Sequence, residues 1–281
     1  MRSDRRVPVA IVGGGASGTI LAAQLARCKI ATALIDGGGR AGRGVAYSTN
    51  EPAHLLNVRA DGMSAWAGEP DHFAKRFEAE GGDRRGFAQR RLYGRYLREI
   101  LDEAVASGCT TLVNASAIRA EPAAGGWRVA LDDGSSLLAD GLALAIGNQE
   151  PEALAAFEGI GARFIVNPWG EAARAAVQEL VAGDEDVLLV GTGLTMVDLV
   201  LSLDSAGHRG RIVALSRRGL IPRSHADYQA APVTAEQVPH GGAIAVLRWL
   251  RQRSGHHGWR AAVDSLRPHS DKLWQSLGGE Q

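Results

Sequence analysis

The stretch VPVAIVGGGASGTILAAQLARCKIATALID, residues 7–36, decides the fold. Val7 to Val12 form a short apolar, β-rich run, and Gly13, Gly14, Gly15 and Gly18 crowd the positions that follow. Thr19 to Arg27 then supply helix-forming Ala, Leu and Gln, and Ala31 to Ile35 are apolar again. This order predicts a strand, a tight turn, a helix and a second strand, a β-α-β unit. The spacing G-x-G-x-x-G gives each glycine a task. Gly13 permits the turn, Gly15 lets backbone N–H groups approach a pyrophosphate, and Gly18 lets helix and strand pack closely. Ala16 and Ser17 open the helix, whose N-terminus favours negative charge. Asp36 ends the second strand close to the roughly 20-residue offset at which a carboxylate accepts hydrogen bonds from ribose hydroxyls. A glycine turn without a ligand would explain the spacing but not Asp36.

The basic start Arg2 to Arg6, followed by an apolar run, has the outline of a signal peptide. The four glycines break that run, which suits a strand turning into a helix and not a secretory h-region. No other stretch offers the 18 or so unbroken apolar residues of a membrane span. The 281 residues carry 31 basic and 31 acidic side chains, so no global field draws the chain to nucleic acid or an anionic membrane. With 45% hydrophobic residues the chain has the material for a substantial core. Cys28 and Cys109 form neither a C-x-x-C pair nor a disulfide framework, which predicts a reducing, cytoplasmic setting and small buried thiols.

Outward from the first unit, residues 37–70 are rich in Gly, Ser, Asn and Arg and too long for a mere connection, so a functional loop lying across a ligand is expected. Helices are predicted over Asp71–Glu80 and Arg91–Ser107. Short strands follow at Thr111–Ile118, Trp127–Leu131, Ser136–Leu138 and Leu142–Ile146, the middle pair forming a hairpin around Asp133-Gly134. The pattern then repeats: Asp186–Val190 as strand, Leu194–Ser205 as helix, Arg211–Ser216 as strand. Further helices are expected near Ala243–Arg253, Trp259–Leu266 and Ser270–Leu277. The fold class is therefore α/β, with two Rossmann-like three-layer nucleotide-binding units and a small β-hairpin or meander insertion. The predicted division is an FAD-binding part over 1–166, an NAD(P)-binding unit over 167–222, and a C-terminal helical segment over 223–281.

The second turn, Gly191-Thr192-Gly193-Leu194-Thr195-Met196, lacks the last glycine and alone is a weak signal. Its following strand ends in Ser216-Arg217-Arg218. Two guanidinium groups at the place of an adenosine ribose suit a 2′-phosphate, so NADPH is favoured over NADH; a solvated strand end is the plain alternative. Gly147, after the last strand of the first part, either closes the first nucleotide site or is an ordinary strand-to-loop glycine. His225 is a weak candidate for proton transfer near a nicotinamide or substrate. His256-His257 shows no metal-ligand spacing, and no metal is expected. Trp249, Trp259 and Trp274 in the last helices are expected in the core.

Together, residues 9–25, the segments Gly42-Arg43-Gly44-Val45-Ala46-Tyr47-Ser48 and His54-Leu55-Leu56-Asn57-Val58-Arg59 with Met63-Ser64, Val190 to Asp198 and Leu215 to His225 resemble FAD-NAD(P)-binding proteins related to flavin monooxygenases and N-hydroxylases. The resemblance covers most of the chain, and the Gly-Val-Ala-Tyr-Ser, Leu-Leu-Asn-Val and Ser-Arg-Arg-Gly-Leu-Ile-Pro-Arg-Ser-His segments carry it more specifically than either glycine turn. It implies that Asp36 meets the adenosine ribose, that Tyr47, Asn57 and Met63 lie along the flavin side of the long loop, and that Gly147 closes the FAD site. A late Gly-Asp turn beside the flavin ribityl chain is not found, and the expected form is a C-terminally shortened member. Two functions follow as expectations. One is an oxidoreductase in which NADPH reduces FAD, with oxygen or a small-molecule substrate as acceptor; the other is a non-catalytic protein that senses or carries FAD or NADPH or pairs with another subunit.

Overall fold

The computed structural model describes residues 5–157, 159–239 and 241–276. The chain divides into two compact units that part between Ile221 and Pro222. The first begins with the predicted β-α-β: β1 over Arg5–Val12, α1 over Ala16–Arg27 and β2 over Thr32–Ile35. Helices α2 (His72–Ala79) and α3 (Arg90–Ala106) lead into β3 (Thr110–Val113), and β4 (Ala117–Ala123), β5 (Gly126–Leu131) and β6 (Ser136–Leu144) complete the sheet. The strand order is β3-β2-β1-β6-β5-β4, with β3, β2, β1 and β6 parallel and β6, β5 and β4 an antiparallel meander.

Burial follows the alternation of strand side chains. Ile11 and Leu34 point to one face, where they pack with Ala22 of α1 and Leu101 of α3. Ala10, Ala33 and Ile35 point to the other and meet Val129, Leu131 and Leu137 of the meander. The meander thus continues the sheet, and its apolar side chains share this face with those of β1 and β2. All four residues of β2 are buried, as an inner parallel strand requires.

Two strand boundaries differ from expectation. The sequence predicts separate strands at Ser136–Leu138 and Leu142–Ile146, yet β6 is one strand through Asp140-Gly141. Its parallel ladder with β1 runs from Arg5↔Leu137 to Val12↔Leu144, with Val9 opposite Gly141, and Arg6 Nε donates to Asp140 Oδ1 at 2.7 Å. A neighbouring strand therefore straightens a dipeptide that locally favours a turn. Conversely, Thr111–Ile118 is split into β3 and β4, because the Ser116 N–H is held by Asp132 Oδ1 at 2.9 Å and turns the chain into the meander.

The second β-α-β lies in the same unit: α4 (Glu171–Val181), β7 (Val187–Val190), α5 (Leu194–Ala206) and β8 (Ile212–Leu215). Strands β7 and β8 pair in parallel from Val187↔Ile212 to Val190↔Leu215. The unit after Ile221 contains α6 (Gly242–His257), α7 (Trp259–Leu266) and α8 (Ser270–Ser276); Leu277, assigned to the last helix from sequence, lies outside the described residues.

Two burial expectations are corrected. Trp259 and Trp274 are half exposed: α7 turns the small Ala261, Ala262 and Ser265 inward in place of Trp259, and α8, which carries Trp274, has no buried residue. Cys28 is exposed, because it caps the end of α1 and does not lie within the helix face; Cys109 is half-buried. Among the described residues, no helix is long and apolar enough to cross a membrane, and no group of three His, Cys, Asp or Glu side chains is set to hold a metal.

Candidate nucleotide-binding sites

At the end of β1 the chain must reverse without side chains. Gly13 has φ of +103°, a region L-residues avoid, and a methyl there would overlap the Ala145 carbonyl beyond β6. Gly18 faces the turn so closely that a methyl would overlap the Gly13 carbonyl oxygen. Gly15 is different in kind. Its backbone is ordinary extended (φ −67°, ψ −168°) and an added Cβ would meet only Gly44 Cα at 3.7 Å, so neither conformation nor packing explains a glycine there. Space in front of the α1 N-terminus explains it. Gly15 also caps α1 without a side-chain hydrogen bond, leaving the first-turn N–H groups of Ala16 and Ser17 to an external acceptor.

Asp36, half-buried at the end of β2, turns its carboxylate onto this turn. Oδ2 accepts from Gly14 N–H at 2.9 Å and Oδ1 from Gly38 N–H at 3.1 Å. Each oxygen keeps a lone pair for a further donor such as a ribose hydroxyl. The long loop lies directly over the turn. Gly42 N–H donates to the Gly14 carbonyl at 2.8 Å, and a Cβ on Gly44 would stand 2.9 Å from Gly15 Cα.

Of the loop residues singled out from sequence, Tyr47 and Met63 pack with Ala16 against one cluster that includes Phe73, Tyr93 and Tyr96. Tyr47 meets Tyr93 edge to face at 4.8 Å, and burial raises its hydroxyl pKa while the Arg90 charge opposes the rise. Asn57 is exposed nearby in the chain, next to the buried Leu56. Gly147, with φ of +69° and open space around it, follows Ala145, whose N–H donates to the Val12 carbonyl at 2.8 Å. The structure therefore assembles Gly13, Gly15, Ala16, Ser17, Gly18 and Asp36 at one turn, with Tyr47 and Met63 on a shared support and Gly147 just beyond the adjoining strand.

The second turn repeats the logic at the end of β7. Gly191 has φ of +118° and its N–H donates to the Leu215 carbonyl at 2.7 Å. A Cβ on Gly193 would meet nothing within 4 Å, and Leu194 and Thr195 stand exposed at the uncapped start of α5. Thr192 Oγ1 hydrogen-bonds Ser216 Oγ at 2.9 Å and the Leu220 carbonyl, tying the turn to the end of β8. Thr192, Ser216, Arg217, Arg218 and Leu220 line a pocket of about 410 Å³, so both arginines do stand beside the glycine turn. His225 is exposed on the segment that opens the other unit, outside any helix or strand.

Sequence reading missed a third polar feature. His54, buried in the long loop, places Nε2 at 2.9 Å from the Asp198 carbonyl and 3.0 Å from Ser202 Oγ, both on α5. Arg90, at the start of α3, pairs with Asp198 Oδ2 at 2.9 Å, with only 17% and 8% of the two side chains exposed. The signal, a weak one, was Asp198 within the mainly apolar first half of the helix Leu194–Ala206, which also carries Asp204 near its end.

Residues 10–149 match the model of a family described as FAD-NAD(P)-binding. No curated protein matches the chain. Among solved structures, OTEMO in complex with FAD and NADP is similar with a TM-score of 0.53 at 18% identity, over 76% of this chain and 39% of that one. The closed form of cyclohexanone monooxygenase gives 0.54 at 14% identity, over 97% and 44%. Bacillithiol disulfide reductase Bdr (YpdA) from Staphylococcus aureus gives 0.51 at 18% identity, over 75% and 57%. The chain thus spans about two fifths of the length of the monooxygenases. At these identities the likeness is one of fold, and it agrees with the mixed sheet and glycine turn built above, which lie almost wholly within the residues 10–149 that match the FAD-NAD(P)-binding family model.

Proposed function

We propose that the chain is an FAD-dependent oxidoreductase that binds FAD at the Gly13–Gly18 turn and NADPH at the Gly191–Thr195 turn, and reduces the one with the other. The observation that carries this reading is the pair of glycine turns in one compact unit, each joining a parallel strand to an uncapped helix N-terminus. Both fit a dinucleotide: Gly15 and Gly193 leave room that neither conformation nor packing demands, and Asp36 supplies a ribose acceptor. When bound, the two groups supply hydride transfer and flavin redox chemistry. The protein's part is to hold, orient and exclude. Helix α1 stabilises one pyrophosphate, α5 the other, and Arg217 and Arg218 face the 2′-phosphate that distinguishes NADPH. The loop over residues 37–70 lies on the first turn and limits water there.

The similar monooxygenases suggest oxygen, or an organic small molecule, as the electron acceptor. The test is the visible absorption spectrum of purified protein before and after anaerobic NADPH. A flavin spectrum that bleaches supports the reductase half-reaction, and a colourless protein that cannot be reconstituted with FAD overturns it. Binding of NADPH with no bleaching favours a nucleotide-binding protein without turnover. For the monooxygenase version, NADPH consumption must couple to hydroxylation, and peroxide release with every compound tried counts against it.

A further inference from the structure

We propose that the buried joint of His54, Arg90 and Asp198 positions the second nucleotide turn against the flavin-side loop, so that occupancy of either site changes the affinity of the other. This rests on reading both turns as nucleotide sites.

Asp198 lies little more than one turn into α5, whose first residues belong to the second glycine turn. A helix is stiff over that distance, so whatever holds Asp198 holds the N-terminus that would face the phosphates. The holders come from the loop side. Arg90 uses one guanidinium for two purposes: Nε donates to the Leu55 carbonyl at 3.0 Å while another nitrogen pairs with Asp198 Oδ2 at 2.9 Å. The Arg90 N–H donates to the His54 carbonyl at 2.8 Å, and the same arginine acts electrostatically on the Tyr47 hydroxyl. His54 must carry a proton on Nε2 to donate to the Asp198 carbonyl, and its Nδ1 shares a hydrogen bond with Thr49 Oγ1 at 2.9 Å. Glu51 adds a parallel contact, accepting from Ser205 Oγ of α5 at 3.2 Å and from the Ala53 N–H at 3.0 Å.

The chemistry is too costly for adhesion alone. Two apolar side chains would hold a helix to a loop at least as well as a desolvated ion pair, whereas here one guanidinium bridges the Leu55 carbonyl and the Asp198 carboxylate, whose Oδ2 lies 2.9 Å away yet accepts no aligned hydrogen bond among the described residues. The joint therefore makes the placement of α5 depend on the conformation of residues 47–57, which include the flavin-side residues Tyr47 and Asn57. Linkage requires the effect to be reciprocal.

The test is titration of NADP+ into apo and FAD-loaded protein by calorimetry, with hydrogen exchange over residues 45–57 measured on NADP+ addition. Wild type is expected to bind NADP+ about 5-fold or more differently with FAD present, the lower range of measured couplings. In Asp198→Asn, and in the paired Arg90→Met/Asp198→Leu variant that removes both buried charges together, the ratio falls to about one and the exchange response in 45–57 is lost. Arg90→Lys keeps the charge without the fork and gives an intermediate ratio. A purely structural joint would lower the melting temperature of these variants and leave the ratio intact, which overturns the proposal, as does a ratio of one in wild type that binds both nucleotides. Failure of wild type to bind one of the nucleotides at all refutes the two-site reading itself, and the proposal with it.

Discussion

Gly15 and Gly18 belong to the same fingerprint but do different work, and exchanging each for alanine separates binding from folding. In Gly18→Ala the new methyl lands on the Gly13 carbonyl, well inside van der Waals contact, so α1 must move away from β1. Overpacking of that kind costs about 1–3 kcal/mol, and displacing backbone in place of a flexible side chain puts it at the upper end. Alanine's helix preference returns about 1 kcal/mol, leaving a net loss of roughly 2 kcal/mol. For a domain of this size that lowers the melting temperature by about 4–8 °C. In Gly15→Ala the methyl stands 3.7 Å from Gly44 Cα in an ordinary backbone conformation. Its folding effect is a gain of about 0.4–1 kcal/mol from a less flexible unfolded chain. The same methyl occupies the space a pyrophosphate needs, and loss of one charge-assisted hydrogen bond at about 1.5–3 kcal/mol weakens FAD binding roughly 10- to 100-fold. Thermal unfolding of the apo protein and equilibrium FAD titration read the two effects independently. If Gly15→Ala binds FAD like wild type, or unfolds as early as Gly18→Ala, the division of labour argued from the turn is wrong.

Replacing both Arg217 and Arg218 with Ala weakens NADPH binding much more than NADH binding in parallel titrations; equal loss for both coenzymes refutes a 2′-phosphate role. Burial raises the hydroxyl pKa of Tyr47, Tyr93 and Tyr96, so the unfolded chain loses these protons first as pH rises. Their stabilisation is complete below the unfolded value of about 10 and is lost above it, so denaturant midpoints should fall steeply above about pH 10, and less steeply in Tyr93→Phe. Asp36→Ala leaves the Gly14 and Gly38 N–H groups without their acceptor and removes the ribose contact, so both the apo melting temperature and FAD affinity should drop, whereas a drop in stability with unchanged affinity argues against a ribose role.

The hydrophobic runs, the glycine spacing and the carboxylate at residue 36 were enough to place both β-α-β units. Each is a local signal: strand and helix periods differ, and a positive φ at the strand end demands glycine whatever surrounds it. The paired arginines after β8 were legible for the same reason, being adjacent in sequence to the strand that presents them. Other features depend on partners far along the chain. Ser136–Leu138 and Leu142–Ile146 read as separate strands until β1 is laid beside them, and Thr111–Ile118 reads as one strand until Asp132 holds Ser116. Trp259 faces outward because smaller residues take the inner face of α7, a choice no composition rule makes. The joint between His54 and Asp198 spans 144 residues, so even where the sequence hints at a buried carboxylate it does not name the partner. Sequence alone determined where the two glycine turns form, since backbone conformation is local; tertiary structure decided what leans on them, since a buried charge finds its partner only when distant segments close around it.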